Sequence, residues 1–302
     1  MKPATPGLRI SIIISLTVIY ALCFAAIKAG LAFAPPLLFA GLRVLIGGVV
    51  LFILAFFLRQ PLLPPRGDWA GIVALALTAT TVAFGAMFLS PGRTGAGIAS
   101  VLGNTQPLMV VVLAALFLGE RMTASKWVTL AFGFTGVSLI AGRALGGPDA
   151  YGMAGALLAL GASLGASVGN IIFKRLAIQG NLLLITAWQL VLGSLPLLVL
   201  AALVEQDRRV IWNAEFVGLL LFLALVGTAL ANAVWYWLLQ REEVGRLTMF
   251  LFLVPVLGLG IAALTFGERI SLLEGIGSAL TVIGVGIVEL SNARSRPAVQ
   301  TA

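Results

Sequence analysis

Long apolar runs separated by short polar punctuation dominate this chain. Crossing a bilayer core takes about 20 apolar residues per helix. Ten runs of that kind fit, at about 9–30, 36–58, 69–89, 95–118, 124–142, 152–178, 182–204, 214–237, 244–266 and 272–290. The pattern predicts an all-α integral membrane protein with ten transmembrane helices. Its longest separators are Gln60–Asp68, Gly142–Tyr151 and Glu205–Glu215. Leu118–Thr123 and Phe266–Ser271 are so short that the helices beside them should turn back as tight antiparallel hairpins.

Composition agrees with lipid as the solvent. Of the 302 residues, 60% are hydrophobic and 10% charged, whereas a soluble surface needs roughly 25% charge. A soluble enzyme, a disordered scaffold and a secreted disulfide domain are thereby excluded. The net charge is +8, but Lys and Arg are scattered in ones and twos. That scatter suits topology signals rather than a phosphate-binding face, and no nucleic-acid partner is expected. Cys23 is the single cysteine and histidine is absent. His-based proton relays, the usual zinc sites and a Ser-His-Asp triad are out of reach, and no cofactor or metal is expected.

The first run follows basic residues (Lys2, Arg9), but no small-x-small site ends it, so a cleaved signal peptide is a poor fit. A lipoprotein signal fits no better, with Leu22 before Cys23 and Tyr20 where an aliphatic residue is wanted. The first helix reads as uncleaved. With a cytoplasmic N-terminus, 12 of the 19 Lys and Arg fall on the inside, 6 on the outside, and Arg43 within helix 2. That bias predicts a multi-pass inner-membrane protein with both termini cytoplasmic.

Sliding the chain by 148 residues matches its halves, with no gap needed from Arg93 to Gly136. Arg93 falls on Arg241, Gly97 on Gly245, Pro107 on Pro255, Gly119-Glu120-Arg121 on Gly267-Glu268-Arg269, and Gly136 on Gly284. A proline followed twelve residues later by Gly-Glu-Arg is hard to repeat by chance. We read a duplication, with residues 1–147 and 148–302 as the units. Each holds five spans, and five is odd, so the expected fold is two inverted five-helix repeats. Such repeats typify secondary transporters, whose cargo binds near the midplane.

Two five-helix units, each carrying Pro-x11-Gly-Glu-Arg, resemble the EamA-type drug/metabolite transporter superfamily. Pro107 with Leu118-Gly-Glu-Arg121 and Pro255 with Phe266-Gly-Glu-Arg269 carry the likeness. The Phe24, Lys28, Pro35-Pro36 and Leu42-Arg43 pattern adds to it. The resemblance spans roughly 10–290. It implies export of amino acids and related metabolites, aromatic amino acids among them. It also implies a central cavity inside the first four helices of each unit, with the fifth peripheral. Gln189 stands at the second-half counterpart of Arg43, so a role for Arg43 does not carry over to that half.

Polar residues in lipid are costly unless they face protein or water, so polar stripes at helical spacing trace a pathway. Helix 4 offers Gly97, Ser100, Asn104 and Pro107; helix 6 offers Ser163, Ser167, Asn170 and Lys174. Helix 8 offers Thr228, Asn232 and Tyr236 with Trp235 beside them; helix 9 offers Gly245, Thr248, Phe252 and Pro255. Helix 1 offers Thr17, Tyr20, Phe24 and Lys28; helix 3 offers Thr81, Phe84 and Phe88 with Met87 adjacent. Small and hydroxylated residues also serve helix packing, and a single Ser or Thr reads first that way. Asn104, Asn170 and Asn232 read as cavity residues. The aromatics fit either core packing or an apolar pocket with a few amide hydrogen-bonders. Pro107 and Pro255 should kink their helices, as static packing features or as hinges.

Arg43 either snorkels to the outer interface or holds a carboxylate bidentately near the outer mouth. Lys28 and Lys174 end helices 1 and 6 and read as interfacial. Glu120 and Glu268 read as turn and cap residues, and Ser271 with Glu274 as a capping box. No acid lies mid-span, so the driving force stays open among facilitated diffusion, exchange and coupling through interfacial acids. Gly133, Gly136, Gly277 and Gly284 on helices 5 and 10 either seal the bundle or form a homodimer surface.

The expected function is a carrier of a small amphipathic metabolite, an amino acid first, moved outward by alternating access. Its expected binding residues are Tyr20, Phe24, Arg43, Phe84, Met87, Ser100, Asn104, Pro107, Asn170, Asn232, Trp235, Tyr236, Phe252 and Pro255. A membrane enzyme would need a cluster of acids, histidines or metal ligands at one face. A channel would need a continuous polar lining. A nucleotide-sugar carrier would need several inward-facing basic residues.

Overall fold

The computed structural model describes residues 6–90, 102–103, 105–140, 153–176, 181–206, 209–266 and 270–295. Ser100, Asn104 and Glu268 lie outside the described residues. Among the described residues the secondary structure is helical throughout.

The first half comprises α1 (Pro6–Gly30), α2 (Pro36–Phe57), α3 (Arg66–Leu89), α4 (Gln106–Leu118) and α5 (Ala124–Ile140). The second comprises α6 (Met153–Leu176), α7 (Leu182–Val204) and α8 (Ala214–Arg241). It continues with α9 and α10 (Leu272–Ser295); α9 runs from Val244–Met249 through a 3-10 turn at Phe250–Phe252 into Leu253–Phe266. Among the described residues seven helices are long and apolar enough to cross a membrane, and the described parts of α4, α5 and the apolar part of α10 are shorter. In each of the seven, between 28% and 50% of the most apolar stretch is buried within the chain. The remainder faces outward with side chains such as Phe56, Phe57, Leu203 and Val204. That apolar skin is what lipid requires, and it makes this a multi-pass membrane protein.

Local chemistry sets the helix ends. Pro36 opens α2 with a ring that fixes φ for the first turn. Asn181 caps α7 by accepting from the Leu183 and Leu184 N–H groups, and Asn213 caps α8 through Phe216. Ser271 and Glu274 form the expected reciprocal box at α10. Gly119 ends α4 with φ of +68°, which a residue bearing Cβ resists.

The prolines behave unequally. Pro107 is the second residue of α4, where a missing N–H costs nothing. Pro255 lacks the N–H that would reach Leu251, and α9 tightens into its 3-10 turn just ahead.

The pairings repeat between the halves. α2 packs on α7 and α5 on α10; α3 meets α7 as α8 meets α2; α4 meets α6 as α9 meets α1. A Cβ at Gly41 would strike Leu198 and one at Gly48 would strike Val191, so α2 and α7 run antiparallel. Gly136 and Gly277 leave no room for a side chain, because each lies against the other's backbone carbonyl. Gly284 closes on Thr129 and Phe132. Gly136, Gly277 and Gly284 thus lie within the α5–α10 contact.

Candidate substrate site

Arg43 is placed by α2, seven residues past Pro36 and so about 10 Å along the helix. Its side chain is buried, at 2% exposure. Nε donates to Thr228 Oγ1 at 3.1 Å and Nη2 to the Gly227 carbonyl at 3.3 Å. The guanidinium carbon lies 5.1 Å from the Phe84 ring centre and 5.9 Å from that of Phe88. The Cys23 thiol adjoins the same group. Nη1 has no hydrogen-bond partner among the described residues, and none of the ion pairs they form reaches Arg43. Aromatic faces attract a cation but do not neutralise it. A buried charge is normally paired, and among the described residues no carboxylate is paired with this one.

The turn that receives Arg43 is unusual. α8 is π-helical over Phe222–Leu230, and α3 is π-helical over Ala76–Val82. These segments correspond at the 148-residue offset. π-turns are rare and gather at functional sites. In α3 the equivalent threonine, Thr80, accepts from Gln189 Nε2 at 3.0 Å. Gln189 is 1% exposed, and its Oε1 has no hydrogen-bond partner among the described residues. The approach is tight on both sides: a Cβ at Gly47 would lie 3.0 Å from the Ala224 carbonyl, and one at Gly193 2.7 Å from that of Ala76.

Aromatic side chains connect these positions. Trp235 donates from Nε1 to Asn170 Oδ1 at 3.1 Å and meets Tyr20 edge-on at 6.3 Å. Tyr236 stacks on Phe173 at 3.8 Å. The remaining expected residues divide. Met87 packs beside Phe88 in the apolar cluster around Phe39. Asn232 uses Nδ2 on its own helix, at the Thr228 carbonyl. Phe252 is fully buried where Gly133 of α5 makes room for its ring. Phe24 is 55% exposed and joins no aromatic pair around Arg43. Pro107 is buried and Pro255 half-buried.

Two carboxylates tie the halves together. Glu120 accepts from the Val244 and Gly245 N–H groups at 2.6 and 3.0 Å, capping α9 rather than a helix of its own unit. Glu205 accepts from Leu37 and Leu38 at 2.9 and 3.0 Å, capping α2. Around the α8–α9 junction, Glu242 pairs with Arg9 at 2.9 Å and Arg246 at 3.1 Å, and Lys126 pairs with Glu243 at 2.8 Å. Lys174 donates to the Leu239 and Glu242 carbonyls there.

Sequence reasoning treated Gln189 as a mismatch and passed over Thr80. The signal was present: Thr80 and Thr228 match at the same offset that aligns the prolines.

A helical bundle with an apolar skin is the architecture of a multi-pass membrane protein. The chain belongs to the EamA-like transporter family, whose model matches residues 8–142 and again 153–290. It is similar to "Uncharacterized transporter YoaV" of Bacillus subtilis, at 31% identity over 278 residues, covering 90% of this chain and 94% of that protein. It is 28% identical to a "Probable amino-acid metabolite efflux pump" of Escherichia coli, over 89% of this chain and 91% of the pump. A solved crystal structure shares the fold, with a TM-score of 0.78, 20% identity and coverage of 94% of this chain and 97% of its own.

Proposed function

We propose that this transporter exports small amphipathic metabolites, amino acids first, across the inner membrane by alternating access. The reading includes ten spans in two inverted five-helix repeats, units 1–147 and 148–302, and cytoplasmic termini. The antiparallel packing of α2 on α7 supports the inversion, because these helices are counterparts at the repeat offset. The relative described as an amino-acid metabolite efflux pump supports the cargo and its direction.

One observation carries the proposal: among the described residues the buried Arg43 guanidinium leaves Nη1 unsatisfied and pairs with no carboxylate. A cargo carboxylate supplies the missing charge and accepts two parallel N–H bonds, while Phe84 and Phe88 receive its apolar part. Binding then cancels a desolvation cost that the empty site bears, so the carboxylate is favoured over a neutral group. The two halves rock about this site and expose it to one side at a time. Acid–helix contacts of the Glu120 and Glu205 kind break and reform as the halves move.

Radiolabelled amino acids offered to proteoliposomes test the reading. Saturable flux of at least one amino acid, above that of protein-free liposomes, is expected. No flux across a full amino-acid panel would overturn the cargo assignment.

A further inference from the structure

The transporter reading uses Arg43 and leaves Gln189 without a task. Gln189 is seven residues past Leu182, as Arg43 is seven past Pro36. Because α2 and α7 are antiparallel, the two stand at matched depths from opposite ends. Each is held by a threonine from a π-helical turn of the other half, at 3.1 and 3.0 Å. Each leaves one buried polar atom unsatisfied among the described residues: a donor, Nη1, on Arg43 and an acceptor, Oε1, on Gln189. Leaving a buried polar atom unmatched is costly, and two at corresponding positions with opposite polarity form a complementary pair. Phe84, whose ring centre lies 5.1 Å from the Arg43 guanidinium, is about one helical turn from Thr80, which holds the Gln189 amide. One stretch of α3 therefore touches both poles.

We propose that Gln189 is a specificity-determining residue whose Oε1 accepts a hydrogen bond from an N–H of the cargo. The cargo class is then dipolar, with a carboxylate for Arg43 and an ammonium or amide donor for Gln189. This rests on the Arg43 reading and narrows it. The duplication made the two sites alike, and the Arg-to-Gln difference gives the path its electrical direction: an anion-seeking pole from the first half and a donor-seeking pole from the second. Simple carboxylic acids and simple amines each satisfy one pole and leave the other unmatched.

Binding to the purified full chain in nanodiscs tests this with three probes of one shape: phenylalanine, 3-phenylpropionate, which lacks the ammonium, and phenethylamine, which lacks the carboxylate. Wild type should bind phenylalanine at least about ten-fold more tightly than either analogue. Gln189→Leu should bring phenylalanine and 3-phenylpropionate to equal affinity. Gln189→Glu, which keeps the side-chain shape, should shift preference toward phenethylamine by about ten-fold and decides the matter if the leucine variant does not fold. Wild-type preference for phenylalanine surviving intact in the Gln189 variants overturns the Gln189 assignment and leaves Arg43 standing. Wild type that binds 3-phenylpropionate as well as phenylalanine overturns the dipolar cargo alone. Wild type that binds none of the three overturns the amino-acid reading of the whole site.

Discussion

Arg43 of α2 and Thr228 of α8 are joined by a 3.1 Å hydrogen bond from Nε to Oγ1, inside a π-helical turn. The bond fixes the guanidinium with one edge spent on the protein and Nη1 left over. Arg43→Gln removes the charge but keeps a donor; Arg43→Lys keeps the charge but loses the planar fork. Both should lower flux per folded molecule about ten-fold or more, the equivalent of about 1.4 kcal/mol in binding. Proteoliposome uptake normalised to reconstituted protein checks this. Full activity in Arg43→Lys would reduce the residue to a point charge.

Thr228→Val preserves shape and withdraws the acceptor from Nε. An unsatisfied buried donor costs about 1–3 kcal/mol, so thermal stability should fall and the cargo's KM should rise. Thr80→Val leaves the Gln189 amide short of the same partner but touches no charge, and its effect should be smaller. The ordering of the two variants in a melting experiment on detergent-solubilised protein is the readout. The reverse order would contradict the role given to the Arg43 charge.

The asparagines separate by their partners. Asn170 holds Trp235 across two helices, whereas among the described residues Asn232 bonds to its own helix. Asn170→Leu should cut flux per molecule roughly ten-fold, with Trp235 fluorescence shifted. Asn232→Leu should leave both nearer to wild type. Equal flux for both variants and wild type would remove the asparagines from the pathway.

Glu120 and Glu205 each satisfy two N–H groups at a helix start in the opposite unit. Replacement by Ala should destabilise the protein by about 1–3 kcal/mol, as charge-assisted bonds of this kind are worth. If the acids also govern rocking, the two variants shift the accessibility of introduced cysteines in opposite directions across the membrane. Identical accessibility changes would argue for a purely static role.

At Gly136 a side chain would meet the α10 backbone. Gly136→Val should lower folded yield severely, while flux per surviving molecule stays close to wild type, because α5 and α10 hold none of the residues around Arg43. Yield and flux measured on one preparation check both halves of that statement.

The sequence by itself determined the elements, because each depends on a neighbourhood of a few residues. Apolar runs become helices, Pro36 opens one through its fixed φ, Asn181 and Asn213 cap others by accepting from nearby N–H groups, and Gly119 closes one at positive φ. Ser271 and Glu274 pair at a spacing of three because a helix turn brings them together. The repeat was also legible, since Pro107 and Pro255 keep their offset whatever the fold. What only the tertiary structure decided is which side chain meets which across helices. Thr228 is 185 residues from Arg43, and Thr80 is 109 from Gln189. Periodicity gives a residue's face but not the helix that the face meets. The same limit applied to Phe252, whose ring packs on Gly133 of α5, and to Glu120, recognised as a cap but not as the cap of α9. Arg43 could have snorkelled by its sequence position alone; burial against α3 and α8, with a π-turn to receive it, holds it inside.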